Sequence, residues 1–274
     1  MSSPRKALWV MLVLMIVGSF VVALFLFQEP SYHGKSLSQW LAEFNNIPPE
    51  NPAPEVSRAI RSIGPSAVPY LLAYIWSGEP EQISVVRKWV NSTFHRSYRS
   101  RTDLCAPSWR ALSILGPSAT SALPEISRHA WQGPLQGRAM IALAALGTNS
   151  ISTLTELCGH SNLEVRVDAA FLLAKSRVNM RGLESFIATS GTSGQPMLAY
   201  NIKQGSEDLE QLVVNLHHHD PRVRRASVEA IGSDAKLSRL AHSNLGECLQ
   251  DPDPSVREIA AKWLSPEGSA AARY

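Results

Sequence analysis

The chain has 274 residues, 45% apolar, 18% charged and 7% aromatic, with a formal net charge of +3. Its 16 Gly, 18 Pro and 3 Cys exclude a collagenous, a disordered or a disulfide-dense miniprotein, while its length suits one or two domains with a sizeable core. The charge excess sits at one end: without Arg5 and Lys6 the chain is about +1, too balanced to bind polyanions by bulk charge.

Residues 7–27 (ALWVMLVLMIVGSFVVALFLF) carry no charge. At about 1.5 Å rise per residue they make a helix of roughly 31 Å, the thickness of bilayer hydrocarbon, where only a helix satisfies its own backbone. The run is longer than the apolar core of a cleaved signal peptide, about 7–15 residues. Its exit, Phe25-Leu26-Phe27-Gln28-Glu29-Pro30, offers neither a small-x-small cleavage site nor a cysteine for lipid attachment. The segment reads as a single-pass transmembrane anchor. Arg5 and Lys6 precede it and only Lys35 follows closely, so the positive-inside rule places residues 1–6 in the cytoplasm and 28–274 across the membrane. The expected location is the cell inner membrane, with the larger part in the periplasm.

Beyond the anchor, residues 28–54 read as one helix and a linker. Tyr32-His33-Gly34-Lys35 leads into SLSQWLAEF (36–44), whose Leu37, Trp40, Leu41 and Phe44 share one helical face. The prolines of IPPENPAP (47–54) exclude a helix and mark a linker. From about residue 55 to 265 the chain is a series of short amphipathic helices separated by Gly, Pro, Asn or Asp, with no alternating strand pattern. Residues 266–274 form a tail.

These helices repeat. Ile60-Arg61-Ser62-Ile63-Gly64-Pro65-Ser66-Ala67 matches Leu112-Ser113-Ile114-Leu115-Gly116-Pro117-Ser118-Ala119, and Leu143–Ser150 keeps the apolar approach and the glycine. Glycine suits a helix C-terminus because it tolerates a left-handed backbone. A second signature opens the later helices: Val165-Arg166, Val223-Arg224 and Val256-Arg257, the last two after Asp220-Pro221 and Asp253-Pro254. There Asp caps free N–H groups and Pro fits the first helical position. Nine residues after each Val stands a small residue, Ala174, Gly232 or Ser265. Joints at 64, 116, 147, 174, 205, 232 and 265 are spaced near 30 apart except the first pair, which implies an insertion at about 79–109; the unit at 175–205 is degenerate. A period of this size built from antiparallel helix pairs predicts an all-α protein, an α-solenoid.

HDPRVRRASVEAIG (219–232), DPDPSVREIAAKWL (251–264) and the Gly-Pro-Ser-Ala joints resemble the HEAT-repeat family, in its short, lyase-like form. With the anchor and GKSLSQWL (34–41), the chain is similar to bacterial membrane-anchored HEAT-repeat proteins. The resemblance implies stacked helix pairs and a binding surface for a protein partner. The iron-dependent hydroxylases of that family would require His-Glu steps, and none of the eight histidines is followed by Glu.

Little else points to chemistry. His217-His218-His219 precedes a capped helix and reads as a polar turn, since adjacent residues diverge on a helix. Cys105, Cys158 and Cys248 lack metal-ligand spacing and read as buried thiols, with at most one disulfide among them. The insertion carries Arg87, Lys88, Arg96, Arg99 and Arg101 among Trp89, Phe94, Tyr98 and nearby Trp109, a basic and aromatic mixture suited to anionic lipid headgroups. The predicted topology disfavours nucleic acid. Arg166, Arg224 and Arg257 occupy one repeat position, where they would form an ion-pair ladder with Asp168, Asp220 and Asp253 or a basic stripe. The expectation is thus a membrane-tethered scaffold without catalysis, cofactor or metal; the alternative is an enzyme, a HEAT-like lyase acting on a small ligand.

Overall fold

The chain enters the fold through a small hairpin. The computed structural model describes residues 29–44, 54–76, 104–176 and 206–265. The predicted anchor at 7–27, the insertion's five cations and most of the unit expected at 175–205 lie outside the described residues. Among the described residues no helix is long and apolar enough to cross a membrane.

Strands β1 (Ser31–Tyr32) and β2 (Lys35–Ser36) pair antiparallel, Ser31 opposite Ser36. The two residues between them, His33 and Gly34, both have positive φ, 50° and 75°, as a tight type I′ hairpin loop requires. Helix α1 (Leu37–Glu43) follows at once, its start fixed by a capping box between Ser36 and Gln39. Leu37, Trp40, Leu41 and Phe44 are all buried, as their spacing predicts.

Helix α2 (Pro54–Ile63) begins at the last proline of the predicted linker, which occupies the first helical position where no N–H is needed. Then come α3 (Val68–Trp76), α4 (Cys105–Leu115), α5 (Leu123–Trp131), α6 (Gln136–Leu146), α7 (Ile151–Leu157), α8 (Leu163–Ser176) and α9 (Ser206–Asn215). The last are α10 (Pro221–Gly232), α11 (Ala235–Leu240), α12 (His242–Glu247) and α13 (Pro254–Leu264). Among the described residues the fold is all-α apart from the hairpin. Trp109, expected near the insertion, belongs to α4 and is only 2% exposed; among the described residues the core resumes at Leu104.

The joints at Gly64, Gly116 and Gly147 have φ of 65°, 52° and 56°. At Gly116 and Gly147 ψ is −122° and −128°, so the backbone is not left-handed helical but mirror-extended, a region a Cβ effectively forbids. Each glycine ends one helix and opens a 3-10 turn into the next: Gly64–Ala67, Gly116–Ala122 and Gly147–Ser150.

The helices pack in two tiers. α3 packs on α4, α5 on α6, α7 on α8 and α9 on α10, while the second members touch in succession, α4 on α6, α6 on α8, α8 on α10 and α10 on α13. One contiguous core runs from Leu37 to Trp263. α8 and α10 are thus in direct contact although the period places a further unit between them in sequence.

Candidate functional site

Three successive second-tier helices begin alike, and their starts are tied together by arginine. α10 and α13 are capped by Asp220 and Asp253, whose side chains accept from the backbone N–H of Arg222 and Ser255. At α8 the side-chain Oδ1 of Asn162 takes this role toward the Glu164 N–H at 2.9 Å. Two residues before each cap, a side chain accepts the cap's own N–H: His160 Nδ1 from Asn162 (3.0 Å), His218 Nδ1 from Asp220 (3.1 Å) and Asp251 Oδ1 from Asp253 (2.8 Å).

Four residues after each cap stands the arginine. A long helical side chain leans toward the N-terminus of its own helix, so its guanidinium returns over the capped turn. Arg166 Nη1 donates to the carbonyls of His160 and Ser161 at 2.7 and 2.8 Å. Arg224 Nη1 donates to those of His218 and His219 at 2.8 and 3.1 Å. Arg257 Nη1 donates to those of Asp251 and Pro252 at 2.6 and 3.0 Å.

The far edge of the fork reaches the next helix. Arg166 grips Glu229 on α10 through two parallel bonds, Nε–Oε2 at 2.6 Å and Nη2–Oε1 at 2.7 Å. Arg224 grips Asp251, ahead of α13, in the same way at 2.7 and 2.8 Å. Parallel charge-assisted bonds of this kind fix orientation as well as energy. The Arg224 guanidinium holds the Asp251 carboxyl below the usual carboxylate range.

The carboxylates differ from those the sequence suggested. Asp220 and Asp253 are occupied as caps, and Asp220 also pairs with Arg222 at 2.7 Å. Asp168 lies two residues from Arg166, a spacing that faces away on a helix. It is buried without an ion pair among the described residues, and burial, aided by Glu164, pushes its carboxyl up to about 7.

Other candidates resolve structurally. All three cysteines are free and buried, and burial raises their thiols to about 11 at Cys105, 12 at Cys158 and 11 at Cys248, so none is an activated nucleophile. His218 and His219 lie in the turn before α10 with rings 4.2 Å apart. Among the described residues no group of three or more His, Cys, Asp or Glu side chains is placed to hold a metal ion.

Sequence reasoning missed an aromatic edge along the first tier. The Trp76 ring lies 4.5 Å from that of His129, and its Nε1 donates to Glu125 at 2.6 Å. The Trp131 ring lies 5.2 Å from that of His160, whose Nε2 donates to the Trp131 carbonyl at 2.8 Å. That bond follows from the Nδ1 already accepting from Asn162. Trp131 and Leu163 are each 40% exposed. No periodicity could have shown this, since these residues belong to four different elements.

The fold defines an all-α protein of packed helix pairs. No protein-family model matches the chain, and no curated protein and no solved structure matches it at the significance required.

Proposed function

We propose that the protein is a membrane-tethered α-solenoid of the HEAT type that presents its helical surface to a protein partner and has no catalysis of its own. The observation that carries this reading is the recurrent arginine clamp, at 160/162/166, 218/220/224 and 251/253/257, with the same bonds each time. A side-chain pattern repeated at fixed spacing, joining each unit to its neighbour, is what a one-dimensional helical array needs. The exposed Trp131 and Leu163 supply the anchors a partner would bury. The tether is the uncharged run at 7–27, with the helical array on the far side of the inner membrane.

Two experiments test this. A C-terminal alkaline phosphatase fusion is expected to be active; an inactive fusion overturns the topology. A photocrosslinking residue at Trp131 or Leu163 of the full chain in its membrane is expected to capture one discrete partner, while the same residue at Lys236 does not. Absence of any adduct at Trp131 and Leu163 refutes the scaffold reading.

A further inference from the structure

Helix α2 has two faces of opposite chemistry. Val56, Ala59 and Ile60 are buried in the core. Pro54, Ser57, Arg58, Arg61 and Ser62 line a surface cavity of about 540 Å³. At three-and-four spacing these five form one stripe along the helix, so their side chains border the same space. Neither Arg58 nor Arg61 has an ion pair or hydrogen bond to any described residue. The clamp arginines are consumed by carboxylates and carbonyls; among the described residues this pair meets neither. Ser57 is only 7% exposed and lines the same cavity.

We propose that this cavity binds a phosphate group, presented either as free phosphate or as the headgroup of a phosphate-bearing lipid. Two guanidinium groups match a dianion, whereas a carboxylate would leave one of them unneutralised. Each guanidinium offers up to five N–H donors in a planar fork suited to bidentate bonding of phosphate oxygens. Ser57 and Ser62 add hydroxyl donors from the same stripe. A volume of about 540 Å³ lies within the roughly 300–1,000 Å³ typical of small-molecule sites. Glu55, in the first turn, is the only carboxylate of α2 and does not line the cavity.

The lipid arm rests on the proposed anchor, whereas the free-phosphate arm does not. Glu29 accepts from the Ser38 N–H at 3.0 Å and from the Tyr74 hydroxyl, so the body is fastened two residues beyond Phe27. Two extended residues reach about 7 Å. An anchor at 7–27 would thus keep the helical body at the bilayer surface, within reach of headgroups.

The test uses the full chain in detergent micelles. Inorganic phosphate binding is followed by calorimetry, and retention of phosphatidic acid against phosphatidylcholine by native mass spectrometry. Arg58→Gln and Arg61→Gln are each expected to weaken binding about tenfold or more, and Ser57→Ala less, while Arg239→Gln on α11 leaves it unchanged. Saturable binding of inorganic phosphate that the Gln variants lose assigns a free-phosphate site. Phosphatidic acid retention that they lose, without inorganic phosphate binding, assigns a headgroup site. Failure to bind either probe, or binding indifferent to both Gln variants, overturns the proposal. Carbonate extraction of the chain from membranes checks the anchor separately, so the two readings fail independently.

Discussion

Trp263 of α13 packs directly on Gly232 of α10, where a methyl group should be disruptive. A Cβ built there would lie 2.3, 2.6 and 2.7 Å from Cγ, Cδ2 and Cδ1 of Trp263 on α13. Ordinary carbon contacts are about 3.5–4.0 Å, so Gly232→Ala forces the indole back by about 1 Å. Trp263 is 8% exposed and wedged between α13 and α10, so the retreat propagates into the joint. Three ring atoms inside 3 Å put the overpacking in the upper part of its usual range, about 2–3 kcal/mol, offset by about 1 kcal/mol of improved helix propensity. The expected net loss is about 1–2 kcal/mol, read by urea unfolding of the full chain in micelles. Two controls isolate the cause. Gly246 on α12 has nothing within 4 Å of an added Cβ, so Gly246→Ala should stabilise by up to about 1 kcal/mol. In a Trp263→Ala background, Gly232→Ala should change sign and stabilise as well. A Gly232→Ala protein as stable as its parent, or a sign that does not change without Trp263, would refute the reasoning.

The remaining predictions concern charge. Arg224→Met leaves Asp251, with a side chain only 7% exposed, without its counter-ion and should cost about 3–5 kcal/mol in urea unfolding, whereas Arg257→Ala, which loses only carbonyl bonds at an exposed site, should cost about 1 kcal/mol or less. Asp168 holds its proton more tightly folded, near 7, than unfolded, near its ordinary 3.8. Its contribution is therefore fully present below about pH 3.8 and lost as pH rises through 7, so Asp168→Asn should stabilise at pH 8 by up to about 4 kcal/mol and leave stability at pH 3 nearly unchanged. Equal pH profiles for parent and variant would exclude it. Cys105, Cys158 and Cys248 should resist iodoacetamide at pH 8 in the folded protein and react once it is unfolded; alkylation of the native chain, read by mass, would contradict their burial.

Local chemistry was the legible part of this chain. Asp220-Pro221 and Asp253-Pro254 announce helix starts because capping involves only residues within one turn, and the caps stand where the dipeptides put them. The glycine joints at 64, 116 and 147 were visible for the same reason, although the mirror-extended backbone at 116 and 147 is a finer state than a glycine alone reveals. The repeated Val-Arg step located the clamp arginines but not their acceptors. Glu229 lies 63 residues from Arg166, and the pair forms only because α8 meets α10 directly. A regular period hides that contact by implying an intervening unit. Trp109 shows the opposite error: read in sequence it belongs with a basic, aromatic segment, yet the helical register of α4 turns it inward. The cavity on α2 required structure too, since Arg58 and Arg61 read as a solvated helix face until the concave surface they line is seen.

The clamps also explain how short helices that are poor folding units alone can form one array. Asp251 serves two of them: its carboxylate receives the Arg224 fork, and its carbonyl receives Arg257 Nη1. The same side chain accepts the Asp253 N–H that positions the next cap. The start of α13 is therefore specified by a residue whose charge is satisfied from α10, so orienting one helix orients the next. Arg166 and Glu229 do this one joint earlier, between α8 and α10. Such pairs need not add net stability over apolar substitutes, because both charges are desolvated. What they add is register: a fork gripping a carboxylate by two parallel bonds admits one relative orientation, where stacked Ala and Leu faces would tolerate several. Small apolar residues such as Ala169, Ala170, Ala226 and Ala230 bring the helices close, and the arginines determine where along their length they stop.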